Sequence, residues 1–540
     1  MNNILANNFN KSRDIKIFLL LFSICFIVYV FTNDGHRYTI DEDAAVQQAM
    51  WLATLTPHPD YIDGVSEVYF NYPHLYPPES DIVKSSNLNS CDNGLICSQA
   101  MIGHSLSEVP FVLINQNFEI ITNSELFTVE DFDDAHYVWW RNSIEPNFTF
   151  VEIFYGPFFT ALSVGIFFTV CRTYEFSIKN SIIVSLLFGF STIAWAYSQT
   201  SLSSVLMTFL FLLSFLLFRK FQKNNSYIYL GLCGITLAFS LLVRLDTILF
   251  VFALSGIILY AIIKDLRKYT KIQNLKIFIK SFIALEIPII ISIFIYQTLN
   301  LLRYGSGIKY SGFHADNLAI MTPFPVSAFG LLFSPGVGIF IFAPILFTVI
   351  MSYTDFYKKN KLTFFLMLGT VLSFIIWFSA FSVTWHGLVS WSARYLLPII
   401  PFLMIPLAAS LTIRKGKIFI TSIIFLAALG AFFNFSYLVQ DVSWFVWGQM
   451  GNHDYGLYSL DGGPLRIGPL VLWTFEFSQL TQSINLMFLH LQPDIFLLKI
   501  LGSQAYTALL IIFLVPLVSA LIITIKKPFI SKNEFKYKKL

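Results

Sequence analysis

Long apolar runs separated by short polar stretches are the dominant pattern of this chain. A membrane-spanning helix needs about 20 mostly apolar residues, and twelve runs come close to that length. They predict transmembrane helices at 15–32, 150–171, 181–198, 201–218, 227–243, 245–263, 278–302, 328–351, 362–382, 395–413, 418–438 and 505–525. The run at 201–218 can alternatively pair with its predecessor as a shallow hairpin. The pattern predicts an all-α polytopic membrane protein.

The charged residues alternate between two kinds of polar stretch. Seven stretches hold 26 of the 35 Lys and Arg residues, and the stretches between them hold 26 of the 32 Asp and Glu residues. Because Lys and Arg accumulate in cytoplasmic loops, we expect both termini in the cytoplasm and the large acidic loops outside it. The first span is expected to stay as an anchor, since no small-residue cleavage site follows it.

Composition agrees with a membrane location. The chain is 56% hydrophobic and only 12% charged, whereas about a quarter of the residues of a soluble domain are charged. The net charge of +3 hides a basic C-terminal tail, for which anionic lipid headgroups are a sufficient partner. Nucleic-acid binding is not indicated, and we expect a multi-pass protein of the cell membrane.

Three regions follow from this topology. Residues 1–438 form a transmembrane domain that includes a large outer loop at 33–149, with 18 acidic and three basic residues. That loop is too long for a mere connector. Residues 439–504 form a second outer segment whose apolar 484–501 stretch can lie in the interface. Residues 505–540 comprise the last span and the basic tail.

The start of the first outer loop has a helix signal. Thr39 with Glu42 three positions later is a capping box, which predicts a helix from Ile40. Four apolar residues then fall on one helical face, which is expected to lie in lipid: Val46, Ala49, Met50 and Ala53. Asp41 would sit in the first turn at headgroup depth, so the large outer loop is expected to be α-rich and to lie on the membrane.

Asp41 has two interpretations. A transferase that moves a sugar from a lipid phosphate to a hydroxyl needs a carboxylate to take the hydroxyl proton, placed where lipid phosphate meets water. Alternatively, an acidic residue in a first helical turn only stabilises the helix.

Outer basic residues near span ends are also candidates: Arg37, Arg141, Arg244, Arg303, Lys309 and Arg394. Such cations can stabilise a departing phosphate, and Arg suits phosphate better than Lys. Alternatively, they only extend along the interface, as long basic side chains do in any membrane protein. Arg244 with Asp246, in a very short turn between two spans, is predicted to form a local ion pair.

Cysteine and histidine usage leaves two further possibilities. Cys91 and Cys97 lie in the first outer loop, where an oxidising compartment permits a disulfide, the alternative being two free thiols. All nine histidines map outside, which admits a divalent cation held by His and carboxylate, although no spacing is diagnostic. No cofactor is specified by the sequence.

Five local patterns together resemble the GT-C class of integral-membrane glycosyltransferases, which includes the protein O-mannosyltransferases and the lipid A aminoarabinose transferase. They occur at 39–43 (TIDED), 187–198 (LFGFSTIAWAYS), 300–313 (NLLRYGSGIKYSGF), 330–345 (GLLFSPGVGIFIFAPI) and 385–401 (WHGLVSWSARYLLPIIP). The departures are Ala393, where many relatives have Pro, and an enlarged first loop between 114 and 149.

The resemblance implies a function and site residues. Asp41, with Glu42 beside it, would be the catalytic carboxylate, and Arg394 would help to bind the donor phosphate. Arg303 and Lys309 are weaker candidates for the same phosphate. The implied activity is inverting transfer from a polyprenyl-phosphate-linked sugar to a protein, lipid or glycan hydroxyl on the extracytoplasmic face.

Two other classes of function stay open. A transporter or flippase of lipid-linked intermediates would need ionisable residues near the bilayer midplane, and Glu286 is the only acidic candidate. A non-catalytic scaffold of the same fold is the other alternative. The sugar, the acceptor and the oligomeric state are not encoded in any motif.

Overall fold

The computed structural model of this chain is almost entirely helical. It describes residues 2–35, 39–54, 88–90, 96–98, 100–122, 149–266, 271–304, 322–358, 360–381, 385–387, 390–440, 469–489 and 493–526. The helices are α1 (Asn2–Phe31), α2 (Ile40–Thr54), α3 (Ile102–Thr122), α4 (Thr149–Thr173), α5 (Ile178–Phe190), α6 (Ala194–Tyr197), α7 (Ser203–Asn224), α8 (Tyr227–Val243), α9 (Ile248–Leu266), α10 (Lys271–Tyr304), α11 (Phe324–Phe333), α12 (Ile339–Phe342), α13 (Leu346–Ile350), α14 (Tyr353–Tyr357), α15 (Lys361–Phe381), α16 (Ile400–Ile413), α17 (Lys417–Leu438), α18 (Pro469–Trp473), α19 (Gln479–Leu489) and α20 (Phe496–Lys526). Short 3-10 turns at Leu245–Thr247 and Arg394–Ile399 precede α9 and α16.

Nine helical stretches within the described residues are long and apolar enough to cross a membrane. They are Ser12–Phe31, Phe150–Thr173, Ser203–Asn224, Leu245–Ile263, Leu275–Leu302, Lys361–Ala380, Arg394–Ile413, Lys417–Leu438 and Phe496–Lys526. These nine agree with nine of the predicted spans and are consistent with a multi-pass membrane protein. The runs at 181–198, 227–243 and 328–351 form shorter or broken helices, so a total of twelve spans stays a prediction.

Two prolines divide the run at 328–351 into three short helices. Proline disfavours the helical conformation of the residue before it, and both breaks occur at such residues. Ser334, before Pro335, has φ −63° and ψ 138°, and Ala343, before Pro344, has φ −130° and ψ 69°. The continuous helix that hydropathy alone predicts is therefore replaced by α11, α12 and α13.

One large apolar core joins most of the helices. It contains side chains from α1 and from every helix between α4 and α19. Helix α1 packs against both α4 and α20, and α8 packs along α10. Tyr29 of α1 donates a buried hydrogen bond of 2.9 Å to the carbonyl of Gly189, which aligns α1 with α5. The end of α1, and with it the start of the first outer loop, is thereby fixed on the transmembrane core.

The first outer loop contributes α2, α3 and a two-stranded antiparallel pair, β1 (Leu88–Ser90) and β2 (Ile96–Ser98). The two helices agree with the expected helical content of this loop. Cys91 lies outside the described residues. For Cys97 of β2, which pairs with Asn89 of β1, only the backbone is described. The predicted disulfide therefore stays a prediction.

The last helix includes more of the chain than the predicted 505–525 span. Helix α20 begins at Phe496 and bends at Gly502, whose φ of 72° is in the left-handed region that favours glycine. The 484–501 stretch is divided between α19 and the first turns of α20. The amide of Phe496 donates to the carbonyl of Asn33 at 2.9 Å, so this segment is attached to the residues that follow α1.

Candidate functional site

The predicted capping box is present at the start of α2. Glu42 Oε2 accepts hydrogen bonds from the Thr39 amide at 3.1 Å and from Thr39 Oγ1 at 3.0 Å, and the Glu42 amide donates to Thr39 Oγ1 at 3.3 Å. The helix begins at Ile40, as the sequence predicts. Asp41 is thus the second residue of α2, in its first turn.

The apolar face of α2 packs against protein, and the prediction that it faces lipid is wrong. Val46 and Ala49 are fully buried in a cluster with Val112 of α3 and with Val151 and Tyr155 of α4. A lipid tail and a protein interior are equally apolar, so hydropathy alone does not separate them. The consequence is that α2 is held between α3 and α4.

Glu42 also connects α2 to the turn between α6 and α7. Its second oxygen, Oε1, accepts a hydrogen bond of 2.8 Å from the amide of Ser201, and Glu42 itself is fully buried. Both oxygens of this carboxylate therefore accept hydrogen bonds from within the protein.

Arg394 is placed by a tight turn after α15. Gly387 has φ 80° and Ser392 has φ 59°, two left-handed residues in a stretch of a few residues. The carbonyl of Ser392 accepts from the Arg394 amide at 2.9 Å, and Ser392 Oγ donates to the carbonyl of Val337 at 3.0 Å. The turn directs the Arg394 side chain inward at the start of the 3-10 turn before α16.

Asp41 and Arg394, 353 positions apart in the chain, meet at this point. Arg394 Nη2 lies 3.5 Å from Asp41 Oδ2, with side-chain exposures of 9% for Arg394 and 52% for Asp41. The guanidinium is buried whereas the carboxylate is open to the outside of the protein. Nε of Arg394 is buried and has no hydrogen-bond partner among the described residues.

Tyr395 lies beside this contact. Its hydroxyl is 3.3 Å from Arg394 Nη2, and its ring stacks on Phe378 at a centroid distance of 4.5 Å. The guanidinium carbons of Arg394 and Arg244 each lie 5.0 Å from the centre of that ring. Two cations therefore share one aromatic neighbour.

The predicted local ion pair of Arg244 and Asp246 is confirmed. Arg244 Nε and Nη2 donate to the two carboxylate oxygens of Asp246 at 3.1 and 2.7 Å. This bidentate geometry is the strongest form of an arginine–carboxylate pair. Arg244 thus has a carboxylate partner of its own, separate from Asp41.

A buried histidine lies near the same contact. His104 of α3 is 5% exposed, its Nε2 lies 2.7 Å from the carbonyl of Ser201, and Glu108 Oε1 is 3.4 Å from the same nitrogen. Burial, the largest effect, and the Arg244 charge lower the pKa of His104 to about 4. The hydrogen bond to the Ser201 carbonyl and the Asp41 charge raise the pKa, but by less. His104 is therefore neutral at neutral pH, and its Nε2–H donates to Ser201.

Several predicted candidates fall outside the described part of the chain. Lys309 is not described, and for Arg303 only the backbone, near the end of α10, is described. Their roles stay predictions. In the described ranges no group of three His, Cys, Asp or Glu side chains could hold a metal ion, so the divalent-cation hypothesis gains no ligand set there.

Glu286, the residue on which the transporter alternative depends, has a local partner. Ser255 Oγ of α9 donates to Glu286 Oε1 of α10 at 2.7 Å. This hydrogen bond joins two neighbouring helices and gives the carboxylate a partner within the protein.

Sequence reasoning missed four residues of this site. Tyr395 follows Arg394 directly, and Tyr197, whose hydroxyl donates to the Trp391 carbonyl at 2.7 Å, lies near the end of the 187–198 pattern. Both belong to motifs that the sequence shows, but neither has a predicted role. His104 had one usable signal, a carboxylate four residues later on the same helical face. Ser201 contributes only main-chain atoms to the site contacts, and a main-chain contact has no sequence signature.

No protein-family model matches this chain, and no curated protein matches it either.

Proposed function

We propose that this protein is an inverting glycosyltransferase of the GT-C class, which moves a sugar from a polyprenyl phosphate to an acceptor hydroxyl. The observation that carries the proposal is the contact between Asp41 and Arg394 at 3.5 Å. The carboxylate is half-exposed, so an acceptor can reach it, and the proposal requires that a lipid phosphate reach the guanidinium beside it. A single-displacement transfer needs both groups at one point.

Asp41 acts on the acceptor in this mechanism. The acceptor oxygen forms a bond to the anomeric carbon, the bond from that carbon to the phosphate oxygen breaks, and the configuration inverts. Asp41 orients the hydroxyl and takes its proton, while the bonding electrons leave with the lipid phosphate. The half-exposed position of Asp41 suits contact with a large acceptor.

Arg394 acts on the leaving group. Cleavage adds negative charge to the lipid phosphate, and a fixed guanidinium stabilises that charge without reorganisation. Because Arg394 is buried, water screens its charge weakly. Its planar guanidinium suits phosphate oxygens, and its Nε is not used by any described residue.

The proposal extends to two further cations, to the topology and to the partners. Arg303 and Lys309 are proposed as additional phosphate ligands, and the site is proposed to face away from the cytoplasm, with both termini inside. Membrane lipids and a protein, lipid or glycan acceptor are the proposed partners.

The test is turnover by the purified protein in mixed detergent and lipid. A set of polyprenyl-phosphate sugars is supplied with candidate acceptors, and released polyprenyl phosphate is measured by mass spectrometry. Wild-type protein should consume one donor, and Asp41→Asn should lose on the order of 1,000-fold in rate while eluting as a monodisperse species. Asp355→Asn, which removes a carboxylate from a different Arg–Asp pair, is the matched control and should retain activity.

Each alternative gives a different result. A flippase would move an intact lipid-linked sugar across proteoliposomes without releasing polyprenyl phosphate. A scaffold would bind without either activity. Transfer by Asp41→Asn at the wild-type rate would remove this residue from the mechanism.

A further inference from the structure

One buried turn, residues 197–201, touches both halves of the candidate site. At one end, the Ser201 amide donates to Glu42 Oε1 at 2.8 Å, and Glu42 is the residue next to Asp41. At the other end, the Tyr197 hydroxyl donates to the carbonyl of Trp391 at 2.7 Å, three residues before Arg394. Five consecutive residues therefore connect two chain segments that are more than 300 positions apart.

This turn is itself fixed to the transmembrane core. Gln199 Nε2 donates to the carbonyls of Thr32, after α1, and Leu438, at the end of α17, at 3.1 and 3.0 Å. Gly156 of α4 lies so close that an added Cβ would be 2.4 Å from two carbonyl oxygens of the turn. His104 adds a third connection through the carbonyl of Ser201.

Glu42 is oriented toward this turn. One carboxylate oxygen is used by Thr39 and the other by Ser201, and the side chain is fully buried. A group that takes a proton from an acceptor must have an oxygen within hydrogen-bond reach of it. Asp41 meets that requirement, whereas Glu42 is shielded from any acceptor.

We propose that residues 197–201 are a positioning frame, through which Glu42 and Tyr197 hold Asp41 and Arg394 at contact distance without taking part in group transfer. The activity arm of this inference rests on the proposed function, and the structural arm does not. A small displacement of reacting groups lowers a rate by up to about 100-fold, so a frame with two independent attachments has a measurable role.

The variants remove one attachment at a time. Tyr197→Phe deletes only the hydroxyl that donates to Trp391, and Glu42→Gln keeps the shape of the side chain and one acceptor oxygen. Tyr174→Phe is the control, because Tyr174 is a partly buried tyrosine whose hydroxyl also donates a hydrogen bond, to Thr363 Oγ1 at 3.1 Å. It is not part of the site.

The activity arm separates positioning from catalysis. Tyr197→Phe and Glu42→Gln should each lose about tenfold in rate, equivalent to one hydrogen bond's contribution to alignment, and leave the pH profile unchanged. In an Asp41→Asn background Glu42→Gln should not lower the residual rate further, because there is no carboxylate left for Glu42 to position. Glu42 would be catalytic if Glu42→Gln alone matched Asp41→Asn and altered the pH profile.

The structural arm uses hydrogen–deuterium exchange and does not depend on turnover. Glu42→Gln should speed amide exchange in residues 198–202 and in the first turn of α2, and Tyr197→Phe should do so in 390–394. Tyr174→Phe should leave all three stretches at wild-type rates. If both frame variants exchange amide hydrogens at the same rates as the control, the inference is overturned, even if the wild-type protein proves to be a glycosyltransferase. Faster exchange with no detectable turnover would uphold the frame and reject the proposed function.

Discussion

Two Arg–Asp pairs lie at opposite ends of one helical run, and they differ in contact distance and in burial. Arg394 begins the 3-10 turn that leads into α16, and Arg414 directly follows α16. Arg414 Nε lies 2.8 Å from Asp355 Oδ2, the same oxygen accepts from Ser410 Oγ at 2.9 Å, and Arg414 Nη2 donates to the Met351 carbonyl. The Arg394 pair is longer, at 3.5 Å, and its guanidinium is the more buried of the two.

The difference separates a structural ion pair from a pair suited to a ligand. At the Arg414 end, short hydrogen bonds satisfy both groups, and the pair joins α14 to α16. At the Arg394 end a buried cation lies 3.5 Å from a half-exposed carboxylate and 3.3 Å from the Tyr395 hydroxyl, and its Nε has no hydrogen-bond partner among the described residues. Burying a charge is unfavourable unless it is well paired. A fold retains such an arrangement most readily when a further anion completes it.

The largest expected effect is the one that separates the two arginines. Arg394→Lys should lower the transfer rate about 100- to 1,000-fold, because it removes a buried planar donor beside the leaving phosphate. Arg414→Lys should stay within about twofold, since an ion pair near the surface contributes little. The measurement is polyprenyl phosphate release by both purified variants. Similar losses in the two would mean that Arg394 is also only structural.

Acid pH should destabilise the region around the Asp41–Arg394 pair before it affects the Asp355–Arg414 pair. His104 has a pKa of about 4 in the folded protein against an ordinary 6.5, so below pH 6.5 the unfolded chain gains a proton that the folded protein does not. Stability should therefore fall by up to about 3 kcal/mol between pH 6.5 and 4. The Arg414 guanidinium lowers the pKa of Asp355 below its ordinary 3.8, so that pair is constant over this range and is lost only at lower pH.

His104→Gln is the control for this prediction, because Gln retains a donor for Ser201 and does not titrate. Heating both proteins in detergent at pH 7, 5.5 and 4 and measuring the remaining monodisperse fraction gives the two stability profiles. The wild-type protein should lose several degrees more than the variant. Parallel profiles would show that His104 does not remain neutral.

Part of this site could be predicted from the sequence and part could not. The predicted position beside a span end makes Asp41 a candidate and Arg394 one of six candidate cations, and only the resemblance to the GT-C class singles out Arg394. The capping box of Thr39 and Glu42 is a local pattern that specifies the start of α2. Local patterns of this kind need no knowledge of the fold.

The rest depended on tertiary contacts. The Ser201 amide, which donates to Glu42, lies 159 positions from Glu42 in the chain, and a main-chain amide has no sequence signature. The apolar face of α2 was assigned to lipid because hydropathy does not separate lipid from protein. The breaks before Pro335 and Pro344 had a sequence signal, which the length and hydropathy of the run at 328–351 outweighed.

A smaller effect is expected from backbone strain at the two ends. Gly387→Ala places a Cβ at φ 80°, 2.5 Å from Ser390 Oγ and 3.3 Å from Arg394 Cγ. Strain of about 1–3 kcal/mol should displace Arg394 and lower the rate about tenfold. Gly416→Ala, two residues after Arg414, has φ −62° and no atom near its added Cβ, so it should change neither rate nor stability. Equal rates for the two variants would show that the turn does not position Arg394.

The smallest effect should come from the Arg414 end itself. Asp355→Asn keeps the shape of the side chain but removes the negative charge of the carboxylate, to which Arg414 Nε and Ser410 Oγ donate hydrogen bonds. Because Arg414 is about a third exposed, with a side-chain exposure of 36%, solvent screening limits the loss to about 1 kcal/mol or less. The unfolding temperature should therefore fall by a few degrees in low salt and by less at high salt, since salt screens exposed charges. Transfer should continue near the wild-type rate in the same sample. A large loss of activity with unchanged stability would contradict the division between the two pairs, because it would place Asp355 in the reaction and make the tight pair the functional one.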